Sequence, residues 1–469
     1  MSHARPAEGL KTIEAYVASL GLDVYLVGGV VRDQLLGRGS KDADFLVPGL
    51  DSARLREALS AHGRVEELVV AGKAVGMRLY PRQPGLRELA PAGIEFAPVR
   101  RERSTGPGRH DFEIVVDPSG SVEDDLARRD FTVNAIARRL ADGRLVDPFG
   151  GRRDLERRVL RALGPRSFAE DPLRLVRGLR FVSELDLAPD AATLAQMRAQ
   201  APSVALVSGE RIGGGLAADG MGELSKLLLG THPEKALSLA RDTGVLEAMI
   251  PTFGPAIGFR QPGHELGLDE HILRVVQLTA DAGAPLRVRL AALLHDLGKP
   301  PLAAGGGGAG GGDHAAAGAE LADATLRRLR YPNGLRRRVG EIVRFHTLEL
   351  GAADALAARR LLARHGEGLA LDLLDHRAAD LRGRGRAGAP EPAALAELLA
   401  FRAVVESERG SPHRLGDLAV DGGDLIALGY RPGPLLGRAL AELLAGVVDE
   451  PGANRRATLL ARARELLGA

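Results

Sequence analysis

The sequence predicts an α+β protein, with a mixed α and β segment over the first 150 residues and a mostly α-helical remainder. Short β-branched and aromatic runs, such as DVYLVGG (23–29) and KDADFLV (41–47), recur between turn residues in the first part. From about residue 151 the apolar residues recur at helical spacing with short polar breaks, and no strands are expected there. At 469 residues the chain is long enough for about three domains.

Taken in order, residues 11–20 read as a short amphipathic helix. DVYLVGG is a strand ending in a glycine turn, and VVRDQLLG is a helix with Gly37 as its stop. KDADFLV is a second strand, and RVEELVVAG, AVGMRLYP, GIEFAPVR and FEIVVDP are further strands. In ARRLADGRLVDPFGG, Asp142-Gly143 predicts a hairpin between two short strands. The run GGGGAGGG (305–312) lacks the lysine and hydroxyl residue of a phosphate-cradling loop and reads as a flexible connection. RGRGRAGAPEP (382–392) reads as a linker before a helical tail.

The balance of 45% hydrophobic and 26% charged residues is that of a soluble globular protein, and no run approaches the ~20 apolar residues of a membrane span. The N-terminus lacks the apolar stretch of a signal peptide, and the absence of cysteine excludes disulfides and thiolate metal sites. A cytoplasmic protein fits. The net charge is only +2, and 57 of the 63 basic residues are arginine. That bias weakens arguments from any single arginine and lends weight to Lys41 and Lys299, two of only six lysines.

Asp42 and Asp44 raise the first chemical question. At i and i+2 on a strand, their carboxylates share one face and oppose each other's ionisation. A divalent cation turns that repulsion into coordination, and hard oxygen ligands suit Mg²⁺. Glu95, in GIEFAPV, is the candidate third carboxylate from a neighbouring strand. Gly28 and Gly29 lie where strand passes to helix, so backbone N–H groups can approach a triphosphate, with Arg32 one turn on and Lys41 before the acids.

VGGVVRDQLLGRGSKDADF, EDDLARRDFTVNAIA, DPFGGRRDLERRVLRA, AEDPLRLVRGLRF and SGERI follow in an order and spacing that resemble the class II tRNA nucleotidyltransferase and poly(A) polymerase family. The resemblance runs from about residue 24 to 212. It implies a polymerase-β-like head, a helical neck, and untemplated nucleotide addition to an RNA 3′ end. It also implies Asp42 and Asp44 as Mg²⁺ ligands and catalytic residues, with Gly28, Gly29 and Arg32 near the triphosphate. Arg129, Asp130 and Asn134 would surround the nucleotide, Asn134 meeting the ribose 2′-OH.

EDPLR offers a way to choose the base. With Pro172 in the first turn of a helix, Asp171 and Arg174 share one face, one acceptor-only and the other donor-only. Cytosine and adenine each present an amino donor beside acceptors, whereas uracil and guanine would set a carbonyl against the carboxylate. The resemblance gives this templating role to Asp171 and Arg174. It gives Glu210 and Arg211, in SGERI, a structural role bracing the neck.

Seven of the twelve histidines lie between residues 264 and 376. LAALLHDLGKP sets His295-Asp296 at the end of an apolar helix, where a buried charged pair needs a reason. With His271 upstream and Asp380 downstream, the set resembles the HD phosphohydrolase superfamily. By that likeness His271, His295, Asp296 and Asp380 bind a divalent transition metal (Ni, Mn, Fe or Zn), with Lys299 nearby for charge. His314 and His346 are offered to a second metal or to the phosphate. The combination, with RRERSTGPGRHDF, RRLRYPN and ADLRGRGRAG, looks like the bacterial CCA-adding proteins that carry a phosphohydrolase domain, a group linked to 2′,3′-cyclic phosphodiesterase and phosphatase activities. The glycine-rich 305–312 loop departs from that pattern.

The expected organisation is a head over 1–150, a neck over 151–255, an HD domain over 256–388 and a helical tail over 389–469. The expected activity is Mg²⁺-dependent transfer of CMP and AMP from CTP and ATP to the tRNA 3′-OH, with tRNA held by shape and backbone contacts. A poly(A) polymerase or an enzyme adding only CC or only A is the alternative. A phosphohydrolase with an inactive head is more remote.

Overall fold

A computed structural model describes residues 4–39, 43–70, 73–104, 112–214, 221–261, 265–304, 314–347, 353–385 and 393–468. Lys41 and Asp42 lie outside the described residues, as do the 305–312 loop, residues 105–111 of RRERSTGPGRHDF and residues 386–392 of the expected linker. The chain divides into two compact units, Met1–Pro251 and Thr252–Ala469.

The first unit is built on strands β1 (Tyr25–Val27), β2 (Asp44–Val47), β3 (Gly63–Val70), β4 (Lys73–Pro81), β5 (Ile94–Pro98), β6 (Arg100–Ser104), β7 (Phe112–Val116), β8 (Ala137–Arg139) and β9 (Leu145–Val146). Seven form a mixed sheet in the order β3-β4-β5-β2-β1-β8-β9, while β6 and β7 make a separate hairpin. Only β2 and β5 run parallel within the large sheet. Registry places Asp44 opposite Val27 on one side and Glu95 on the other, so the end of β2 lies beside the start of the glycine turn. Phe45, Leu46 and Val47 are buried, and Phe45 stacks on Phe96 at 5.5 Å. The charged residue thus ends a strand whose remainder is fixed in the core. Gly143 has φ 73° between β8 and β9, as a tight hairpin demands.

The first helix spans Ala4–Ala18, longer than the 11–20 expected. Beyond residue 151 two short strands do form: β10 (Val159–Leu160) and β11 (Ala188–Pro189) pair in parallel. Two residues cannot display a period-2 alternation, so no pattern announced them. The Leu173–Leu185 helix buries Leu175, Val176, Leu179 and Val182 and sends Arg174, Arg177 and Arg180 away from that core.

The second unit is helical. Helices Leu268–Asp281, Leu286–Leu294, His314–Arg328, Asn333–Phe345 and Ala355–Gly383 form its histidine-rich part. Gly366, at φ 72° and ψ 155°, breaks the last of these within its length. The tail helices Ala393–Ser407, Pro434–Asp449 and Arg456–Gly468 follow. Leu425, Tyr430, Leu443, Val447 and Ala463 form a core of their own there.

Candidate active sites

Gly28 closes β1 at φ 81° and ψ −138°, and a Cβ there would stand 2.6 Å from Nη1 of Arg129. The positive φ calls for glycine, and a Cβ would also require the Arg129 guanidinium to move. A cleft of about 350 Å³ opens at this turn. It is lined by Gly28, Gly29, Arg32, Asp44, Arg129, Asp130, Asn134, Asp171 and Arg174, and also by Arg128, Arg177, Arg180, Phe181 and Arg211. Seven arginines face three aspartates, a balance that favours a polyanion such as a triphosphate.

A continuous network fixes the polar groups. Arg32 donates through Nη1 to Oδ1 of Asn134 at 2.7 Å, and Nδ2 of Asn134 donates to Oδ1 of Asp130 at 2.9 Å. Those two bonds settle which end of the Asn134 amide faces which partner. Arg177 grips Oδ2 of Asp130 at 2.8–2.9 Å and lies 3.5 Å from Glu223. Burial would raise the Asp130 carboxyl, but the Arg177 charge and the bonds from Asn134 and the Phe131 amide hold it down at about 2. Arg129 is tethered to Asp125 at 3.0 Å, and Arg32 lies 5.1 Å over the Phe181 ring.

Asp171 and Arg174 reach the same cleft by a different route from the one expected. Asp171 is extended (φ −144°, ψ 100°), because the residue before proline is driven from helical geometry. It therefore precedes the helix instead of sharing its face. Its Oδ1 accepts from the Leu173 amide at 3.1 Å and its Oδ2 from Arg211 at 3.1 Å. Arg174 donates to Ser167 and to the Arg128 carbonyl, the latter at 2.9 Å. The Arg174 amide donates to the Asp171 carbonyl at 3.0 Å, while the two side chains bond other partners. Arg211, expected to brace the neck, bonds Asp171 and also lines the cleft, while Glu210 is half-buried on the Gly209–Ile212 turn of helix. Glu95 pairs with Arg78 and shares a neighbouring hollow with Asp44, Arg128 and Arg129. Arg177, Arg180 and Phe181 were not singled out from the sequence. Their spacing from Arg174 along one helix was the available signal, masked by the abundance of arginine.

In the second unit, one small pocket gathers residues from five segments. His271, His295 and Asp380 present ligand atoms within 4.8 Å of one another, and Asp296, His314 and His346 form a second such group. Asp296 faces both ways. Its Oδ2 lies 3.3 Å from His295 Nε2 and 2.5 Å from Lys299 Nζ. Its Oδ1 lies 3.4 Å from His346 Nε2 and 3.7 Å from His314 Nε2. The Nδ1 atoms of His295, His346 and His271 bond the carbonyls of Ala292, Val343 and Gly383 at 2.9, 2.7 and 3.0 Å. Carbonyls only accept, so each Nδ1 carries a proton and each Nε2 is turned to the pocket; burial opposes the charge of His271, but the Asp380 carboxylate 3.2 Å from its Nε2 raises that imidazole. His295 and His346 use the same local device, each directly following its helix and bonding a carbonyl of the last turn.

These residues fit a metal. His295 Nε2 and Asp296 Oδ1 are buried with no hydrogen-bond partner, a costly state that a cation relieves. Burial opposes the charges of Asp296 and Asp380, yet the surrounding histidines and cations hold both carboxyls well below the usual range. His376, which sequence reasoning missed, is fully buried one turn before Asp380 with both ring nitrogens unpartnered. Its ring packs 4.9 Å from that of His295 and 5.8 Å from that of His346, and burial keeps it neutral.

The fold and the two sites define a nucleotidyltransferase head joined to an HD domain, and comparison with known proteins gives the same class. Residues 24–161 match the poly A polymerase head domain, 186–257 the probable RNA and SrmB-binding site of polymerase A, and 268–382 the HD domain. A multifunctional CCA protein of Nitrosococcus oceani is 33% identical over 435 residues, covering 90% of this chain and 96% of the relative. One from Pseudomonas aeruginosa is 36% identical over 342 residues, covering 70% and 75%. Among solved structures, the Bacillus stearothermophilus CCA-adding enzyme in complex with CTP superposes with a TM-score of 0.70 at 26% identity, covering 98% of this chain and 97% of its own. The Thermotoga maritima CCA-adding enzyme complexed with tRNA shares the fold, with a TM-score of 0.58 at 20% identity over 98% and 95%. The chain belongs to the family of multifunctional CCA proteins, CCA-adding nucleotidyltransferases that carry an HD domain. No helix among the described residues is long and apolar enough to cross a membrane.

Proposed function

We propose that this chain builds or repairs the 3′-terminal CCA of tRNA in the cytoplasm, transferring CMP and AMP from CTP and ATP to the RNA 3′-OH. The observation that carries this is the single cleft in which the glycine turn, Asp44, the Asp130–Asn134 pair, Asp171 and Arg174 meet. Asp42 and Asp44 would hold Mg²⁺, which when bound supplies charge for the attacking hydroxyl and the leaving pyrophosphate. Glu95 is retained as a candidate third acid. The arginines of the cleft orient the triphosphate, Asn134 meets the ribose, and Asp171 with Arg174 reads the amino edge of C or A. The division into head (1–150), neck (151–255), HD domain (256–388) and tail (389–469) is kept as part of this reading.

A second activity is favoured by the HD pocket, whose buried lone pairs converge on common points. His271, His295, Asp296 and Asp380 would hold a divalent transition metal, with His314 and His346 on the far oxygen of Asp296. The metal, when bound, supplies an activated water for hydrolysis of a phosphoester such as a 2′,3′-cyclic phosphate.

One assay separates the readings: truncated tRNA is incubated with CTP, ATP or both, and the 3′ ends are sequenced. Ends completed to CCA only when both nucleotides are present are expected. Oligo(A) from ATP alone means a poly(A) polymerase, and arrest at CC with both nucleotides means a partial enzyme.

A further inference from the structure

The metal ligands of the HD pocket do not account for its cations. Asp380 is nearly buried, with a side chain 7% exposed, yet its Oδ2 accepts from two guanidinium groups, Arg377 at 2.8 Å and Arg384 at 3.1 Å. Its Oδ1 faces His271 at 3.2 Å. One oxygen can accept both bonds, but the carboxylate carries a single negative charge, so two guanidinium groups leave positive charge over. Both arginines line the pocket, and at 24% and 48% side-chain exposure they stand between Asp380 and solvent. In the same pocket Lys299 pairs with Asp296. Leaving the histidines aside, two carboxylates face three cations, and the pocket is positive before any metal enters. A metal adds to that charge.

We propose that Arg377 and Arg384 are the anion clamp of this pocket, gripping the non-bridging oxygens of a phosphate at an RNA terminus. The proposal deepens the hydrolase reading and rests on it. A guanidinium carries five donors in a planar fork, so each arginine can keep one nitrogen on Asp380 and turn others to phosphate. The cavity holds about 240 Å³, less than the ~300–1,000 Å³ of pockets that enclose a drug-sized ligand. It admits a phosphate and part of its ribose, so the clamp selects a terminal phosphate, cyclic or monoester, over internal diesters. The base is left outside, and the site reads the chemistry of the end, not its sequence.

The test uses the full chain loaded with Mn²⁺ and the variants R377Q, R384Q and R384K. Affinity for inorganic phosphate is measured by calorimetry, bound metal by elemental analysis, and hydrolysis of 2′,3′-cyclic AMP and 3′-AMP by product formation. Each Gln variant should weaken phosphate binding and raise KM about tenfold or more, the loss expected for one charge-assisted contact. Metal content should stay at the wild-type level, and R384K should recover only part of the affinity, having charge without the fork. Unchanged phosphate affinity in R384Q, whose side chain is half exposed, overturns the clamp. Loss of metal in step with loss of affinity also overturns it, because the arginines then act only by holding Asp380. If the wild type hydrolyses neither substrate, the hydrolase reading itself falls.

Discussion

Gly28 and Asp130 show how single residues are constrained around the nucleotide cleft. At φ 81° and ψ −138° a side chain at position 28 costs about 1–3 kcal/mol in backbone strain, and its Cβ would displace the Arg129 guanidinium. Gly28→Ala is therefore expected to lower stability by that amount and to raise KM for CTP and ATP about tenfold. Steady-state kinetics and urea melts check this; a normal KM would mean that Arg129 need not keep its place. Asp130 gives a pH signature. Its folded carboxyl sits at about 2 against an ordinary 3.8, so its contribution is complete above the unfolded value and fades as pH falls from about 3.8 to 2. The shift corresponds to about 2 kcal/mol. Wild type should exceed Asp130→Asn by that much at pH 6, and the gap should narrow between pH 4.5 and 3. A gap constant with pH would show that the charge of Asp130 is not what stabilises. At this scale the site was largely legible, because Gly28, Asp44, Asp130, Asn134, Asp171 and Arg174 stand in motifs whose chemistry is local. Arg177 and Arg180 were not, since a chain with 57 arginines gives none of them prominence.

The Leu173–Leu185 helix brings Arg174, Arg177 and Arg180 to the nucleotide cleft, and its placement depends on a glycine in its middle. An interior Gly→Ala exchange ordinarily stabilises a helix by up to ~1 kcal/mol. Here a Cβ on Gly178 would meet Phe131 Cζ at 2.9 Å and Leu160 at 3.3 Å. Phe131 is itself packed against Phe168 and Phe181, so it has little room to retreat. Overpacking costs about 1–3 kcal/mol and should win. Gly178→Ala is expected to be net destabilising by about 1 kcal/mol and to slow nucleotide incorporation, because Phe131 adjoins Asp130. The double variant with Phe131→Leu should recover stability; if the single variant is more stable than wild type, the packing account is wrong. Element existence was mostly readable from alternation and turns. Some features escaped for physical reasons: β10 and β11 are too short to alternate, and Asp171 was drawn out of the helix by the proline after it.

At the scale of the whole molecule, the two units differ in how a cation would couple to folding. His271, His295 with Asp296, His314, His346 and Asp380 come from five segments spread over more than a hundred residues of the second unit. Their order along the chain was readable, but Asp296's position between two ligand groups was not, because only the fold sets which way each of its oxygens faces. A metal that binds this set and not the unfolded chain stabilises it by about 2.7 kcal/mol at a free concentration one hundred times its Kd. Asp42 and Asp44, in contrast, lie on one short stretch, with Glu95 already held beside Asp44 by strand pairing, so a cation there adds little to what the sheet joins. Chelation followed by Mn²⁺ titration should therefore raise hydrogen-exchange protection in the helices Leu268–Asp281, Asn333–Phe345 and Ala355–Gly383. Peptides from β3, β4 and the Leu173–Leu185 helix should be unchanged. Asp296→Asn should abolish the effect while leaving CCA addition intact, since that residue lies outside the nucleotide cleft. Uniform protection of both units, or protection that survives in Asp296→Asn, would show that the cation acts elsewhere than on the converging histidines.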